Sequence, residues 1–151
     1  MENDHIEKRI EIDASIARVW RALTGFREFG EWFRVKLDGP FKQGDVSRGH
    51  VTYPGYEHLK WGADIQAVEA ERYFAFTWHP YAVDPKVDYS DEPPTLVEFT
   101  LDPTANGALL TVIESGFDKL PLGRAHEAFR MNDTGWAIQM QNIQTYIKAR
   151  P

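Results

Sequence analysis

GRAHEAFRMNDTGWAIQMQNIQTYIKAR, residues Gly123–Arg150, decides how the rest of the chain is read. Phe129, Trp136, Met140, Ile143 and Ile147 recur at steps of seven, four, three and four. That is the spacing of one face of an α-helix. Arg130, Thr134, Gln141, Thr145 and Lys148 fall mostly off the stripe, so the helix reads as amphipathic. Pro121 suits a first helical turn, and Lys148 and Arg150 suit the carbonyl end, where cations are favoured. A helix of this length spans roughly 40 Å at 1.5 Å per residue, too long for a small domain unless it lies across a whole sheet.

The preceding residues read as that sheet. Ile6, Ile10 and Ile12 alternate with charged residues in a first, half-buried strand. Ser15 is placed to cap a short helix carrying Ile16, Val19, Trp20 and Leu23, which Gly25 closes. Phe26 to Phe33 reads as a second short helix. From Val35 the period changes. Strands are expected at Val46 to Tyr53, Leu59 to Ala70, Arg72 to His79, Thr95 to Asp102 and Ala108 to Ser115. Turn signals separate them, among them Gly39-Pro40, Pro54-Gly55 and Asn106-Gly107. Pro80 to Pro94 is a long proline-rich loop, a candidate lid with Tyr81 and Tyr89 as its apolar contacts. Counting the stretch from Val35, the order is strand, two short helices, six strands and a long helix. It predicts an α+β fold, with residues 1–151 forming one domain.

Composition narrows the function classes. The 151 residues include five Trp, nine Phe and six Tyr, a load that must pack or line something. There is no cysteine, which removes disulfides, thiol nucleophiles and thiolate metal sites and suits a cytoplasmic location. The net charge of −6, without a basic run, argues against nucleic acid as a partner. No apolar run approaches the ~18 residues of a membrane span, and the charged N-terminus does not read as a signal peptide. His50, His58 and His79 match no metal-ligand spacing, and Asp84, Asp88, Asp91 and Glu92 lack the loop glycine of a calcium hand. Neither a metal nor another cofactor is expected. No nucleophile motif of the G-x-S-x-G kind occurs.

IDASIARVWRALT, REFGEWF, VEAERYFAFTW, TVIESGF and NDTGWAIQMQNIQTYI follow one another in an order that carries a resemblance. The chain resembles the helix-grip superfamily of START and birch-pollen-allergen-like proteins (SRPBCC). Within it, the chain is similar to the family named after the activator of the heat-shock protein 90 ATPase. The resemblance implies a curved seven-stranded antiparallel sheet gripping the C-terminal helix, with a cavity between them. It implies little about chemistry, because the fold hosts binders, lipid carriers, cyclases and chaperone accessories.

The leading expectation is a small hydrophobic or aromatic ligand in a cavity of a few hundred Å³, the usual range for such sites. Trp20, Trp32, Phe76, Trp78, Phe99, Trp136 and Met140 are its candidate walls, and the loop from Pro80 to Pro94 its candidate mouth. Asn132 and Asp133 flank the helical stripe and offer polar contacts, while Gly135 weakens the helix beside Trp136. By the resemblance, Glu114, just before Ser115-Gly116-Phe117, points inward towards Asn132 or Arg130 and orients a ligand or acts as acid or base. An enzyme of the cyclase or hydrolase kind, a chaperone accessory and a homodimer all stay open at this level.

Overall fold

Side-chain alternation and capping produce the expected order of elements. The computed structural model describes residues 5–151; residues 1–4 lie outside the described part. In β1 (His5–Ile12), Ile6 and Ile12 are buried. Ser15 caps α1 (Ile16–Thr24), its hydroxyl oxygen accepting the Arg18 amide at 3.1 Å. Gly25 ends α1 and opens α2 (Phe26–Phe33). A Cβ there would stand 2.6 Å from the Arg21 carbonyl oxygen, so the sharp join between the helices requires glycine. Arg34, in the left-handed region at φ 68°, turns the chain out of α2 into the sheet.

Six strands follow: β2 (Val35–Leu37), β3 (Val46–Val51), β4 (Lys60–Glu69), β5 (Tyr73–Trp78), β6 (Thr95–Pro103) and β7 (Ala108–Ser115). The seven strands form one antiparallel sheet in the order β1-β7-β6-β5-β4-β3-β2. The first strand therefore pairs with the last, and β7 is an interior strand. A single 3-10 turn, Phe117–Lys119, leads into α3 (Leu122–Ala149). This is the expected α+β helix-grip architecture.

The inward face of α3 is Ala125, Ala128, Trp136, Met140, Ile143, Tyr146 and Ile147, all buried. Four of the five residues of the sequence stripe lie on it. Phe129 departs from the expectation. It is only half-buried and packs edge-on to Phe117, with ring centroids 5.3 Å apart, because two alanines bring this end of the helix down instead.

The C-terminal end of α3 is tied to α1 and α2 through Glu28. The Arg18 guanidinium donates from Nε and Nη2 to the Arg150 carbonyl at 3.0 and 2.8 Å, and its Nη1 contacts Glu28 at 2.9 Å. Tyr146 and Arg21 donate to the same carboxylate, each at 3.0 Å. Burial alone raises the pKa of Glu28. The Tyr146 hydroxyl and the two arginines outweigh it and hold the carboxyl below its ordinary 4.5. Burial, followed by the Glu31 and Glu28 carboxylates, pushes the Tyr146 hydroxyl up to about 12. A lowered folded-state pKa stabilises the fold above the unfolded value and ceases to do so as pH falls through the folded one. The urea midpoint of Glu28→Gln is expected to lie below that of wild type at pH 7, with the gap closing by about pH 3. A gap of equal size at both pH values would rule out ionisation as its source.

Candidate functional site

Strand register places the chemistry at one end of the helix–sheet interface. Phe74, Phe76 and Trp78 of β5 face inward, as do Thr95, Val97 and Phe99 of β6 and Leu110, Val112 and Glu114 of β7. Trp78 pairs with Thr95 and Val97 with Glu114, so three inward polar groups meet where the strands end. Asn132 and Trp136, one turn apart on α3, descend onto them.

Glu114 is fully buried and accepts four hydrogen bonds. Its Oε1 receives the Asn132 amide at 2.9 Å and the Trp136 indole N–H at 2.8 Å. Its Oε2 receives the Trp78 indole N–H at 2.8 Å and the Thr95 hydroxyl at 2.6 Å. A carboxylate offers about four acceptor sites, so Glu114 is saturated. All four donors are neutral. Asn132, not Arg130, is the helix partner. Asp133, on the other flank of the stripe, pairs instead with Lys8 of β1 at 2.9 Å.

Above this carboxylate lies a cavity of about 170 Å³ lined by Phe33, Trp78, Asn132, Gly135, Trp136 and Gln139. Apart from Trp136 these residues are half-buried, so the cavity opens to solvent. The three rings stand at centroid separations of 5.8 to 6.2 Å. Gly135 has nothing within 4 Å of where a Cβ would be, so the missing side chain leaves part of the space open. The Gln139 amide reaches the Phe33 carbonyl at 3.4 Å and joins α3 to the end of α2.

The cavity is smaller than a few hundred Å³ because aromatic rings fill the concave side of the sheet. Phe29, fully buried, touches Trp32, Phe33, Phe41 and Trp61 at 4.8 to 5.7 Å. Two other depressions, about 820 Å³ on the outer face of the sheet and 1120 Å³ between α2, β2 and the end of α3, are larger, as is one of about 420 Å³ where Ile12 and Asp13 meet the last turns of α3. The second is edged by Arg27, Glu31, Arg34, Lys36, Asp38 and Arg150, and both lie outside the helix–sheet interface.

Of the residues expected at the site, Trp78, Asn132 and Trp136 line the cavity and Glu114 lies directly behind it. Phe99 and Phe76 support the walls, Phe99 edge-on to Trp136 at 5.6 Å and Phe76 against Trp78 at 5.3 Å. Met140 is buried one turn beyond Trp136. Trp32 sits deeper in α2, its indole N–H donating to the Ala22 carbonyl at 2.8 Å. Trp20 packs half-buried against the core from α1 and does not line the cavity, because Val19, Ala22 and Leu23 take the inner face of that helix. The loop from Pro80 to Pro94 also contributes no lining residue. Arg124 holds it against the start of α3, bonding to Glu92 at 3.1 Å and to the Pro80 carbonyl, and lying 4.8 Å from the centre of the Tyr89 ring. Gln139 was missed by the sequence reading, although it stands three residues after Trp136 and seven after Asn132, on the same helical face.

A protein-family model described as Activator of Hsp90 ATPase homolog 1-like protein matches residues 13–148. The chain belongs to this family. Solved structures share the fold of this Hsp90-ATPase-activator-like chain at low identity. Protein MLL2253 of Mesorhizobium loti is 23% identical with a TM-score of 0.77, over 97% of this chain and 98% of that one. A protein from Arthrobacter aurescens is 17% identical with a TM-score of 0.80, over 98% and 88%. CalU16 from Micromonospora echinospora is 20% identical with a TM-score of 0.63, over 95% and 74%. No curated protein matches the chain. The fold is compatible with a ligand-binding domain, and no helix among the described residues is long and apolar enough to cross a membrane.

Proposed function

We propose that this family member binds a small ligand with an apolar or aromatic surface in the cavity between the sheet and α3. The observation that carries the reading is an open cavity of about 170 Å³ walled by three aromatic side chains and left unfilled by Gly135. Trp78, Trp136 and Phe33 would supply shape, and the Asn132 and Gln139 amides would supply orientation. Glu114 would act as a positioning residue, fixing both indoles and Asn132 from behind. At ~30 Å³ per water the cavity equals about six waters, room for a compact ligand rather than a long chain.

The acid–base reading draws little from this geometry. The lining carries no titratable side chain, and Glu114 has no acceptor site left for a substrate proton. The chaperone reading rests on the family description alone.

Gly135→Leu tests the binding reading. Leucine has room to enter the cavity and favours a helix over glycine by up to ~1 kcal/mol, so the variant should fold at least as well as wild type. A panel of small aromatic and branched aliphatic compounds is expected to change tryptophan fluorescence in wild type and to have no effect on Gly135→Leu. No response from wild type, or an equal response from both proteins, would remove the proposal.

A further inference from the structure

Glu114 is a buried carboxylate whose partners are all neutral. Among the described residues no lysine, arginine or histidine forms an ion pair with it, and none lines the cavity above it. Its charge is solvated by dipoles and not cancelled. Two of those dipoles are the N–H groups of Trp78 and Trp136, the rings that wall the cavity. Donating to a carboxylate polarises an indole and increases electron density on its faces, which already carry the negative side of the ring quadrupole. The rings and the charge behind them therefore give the cavity a negative potential. Entering ligands meet apolar walls, the net charge of the chain is −6, and of the two lining amides Asn132 can offer its carbonyl oxygen, while that of Gln139 already accepts from the Asn142 amide at 3.1 Å.

We infer that the ligand is a small organic cation whose charge is wrapped in carbon, such as a trimethylammonium compound. This rests on the binding reading above and names the chemical class for the same site. A bare ammonium or metal ion would lose more hydration than aromatic faces return, whereas an alkylated ammonium presents an apolar surface and keeps its charge. An anion would meet Glu114 with no compensating cation. Among neutral compounds, the rings offer burial of area and no preference beyond it.

Choline and its uncharged analogue, in which carbon replaces the nitrogen, have nearly the same shape and separate the two ideas. Titration calorimetry on the intact chain is expected to show choline binding on the order of tenfold tighter than the analogue. Trp78→Leu, which removes one polarised ring, is expected to abolish that preference. Equal or tighter binding of the analogue would overturn the cation assignment and leave the binding reading intact. Retention of the preference in Trp78→Leu would overturn the assignment to this cavity. Failure of both compounds to bind, while neutral aromatics bind, also overturns the assignment; failure of every compound tested overturns the binding reading itself. Free solutes and choline lipids share the trimethylammonium group, and co-sedimentation with phosphatidylcholine vesicles decides between these sources once choline binding is seen.

Discussion

Glu114→Leu will lower the unfolding free energy by about 4 kcal/mol or more. Leucine fits the space but leaves the Trp78, Trp136, Asn132 and Thr95 donors without an acceptor. The Trp136 and Thr95 donors are buried, and each such donor left unsatisfied costs ~1–3 kcal/mol; Trp78 and Asn132 are half-buried and lose less. The relief of removing a buried charge offsets part of this, and such losses do not add fully. The remaining cost is large against the ~5–15 kcal/mol total of an ordinary domain. Glu114→Gln should cost about half as much. Its amide oxygen can serve Asn132 and Trp136, and the Thr95 hydroxyl can rotate to accept from the new amide. Trp78 alone then loses its partner, and it is half-buried and able to turn its N–H to water. Urea unfolding followed by circular dichroism gives the order wild type, Gln, Leu. A Leu variant as stable as wild type would show that the four hydrogen bonds contribute no net stability.

Trp136→Ala is the second large effect, expected at ~3–5 kcal/mol, as for large-to-small changes in cores. The ring is 3% exposed and stands among Phe33, Trp78 and Phe99 at 5.6 to 6.0 Å. Alanine leaves a cavity these neighbours cannot close, because Phe99 and Trp78 are held by strands. The same change removes one of the four donors to Glu114. Trp136→Phe, which keeps most of the ring and loses the N–H, should cost ~1–2 kcal/mol. Ile138, two residues away on the same helix and 55% exposed, supplies the control: Ile138→Ala should stay within ~0.5 kcal/mol. If Trp136→Ala and Ile138→Ala give similar midpoints, the helix does not lie on the sheet as described.

The two variants also bear on function in different ways. Glu114→Gln keeps the volume behind the cavity and removes the charge, so it weakens a cation more than a neutral ligand. Trp136→Ala removes a wall and should weaken both.

The periodicity of residues 123–150 determined the long helix and most of its buried face, because a 3.6-residue repeat admits one way of hiding Trp136, Met140, Ile143 and Ile147 together. Alternation and turn residues likewise determined the strands to within a few residues, since both faces of a pleat are written in the chain. Whether Glu114 pointed inward was not contained in its own strand. Leu109, Ile113, Leu110 and Val112 make both faces of β7 partly apolar, and only the family resemblance chose between them. Its four donors come from β5, β6 and two positions of α3, separated from it by 18 to 36 residues along the chain. Hydrogen bonds of that range follow from strand pairing and from where the helix settles, and no local pattern encodes them. The size of the cavity was decided the same way. Composition counted the aromatic rings, but whether they would line the space or fill it depended on their packing. Phe29 and its neighbours occupy the concave face of the sheet, and only the end beside Gly135 stays open.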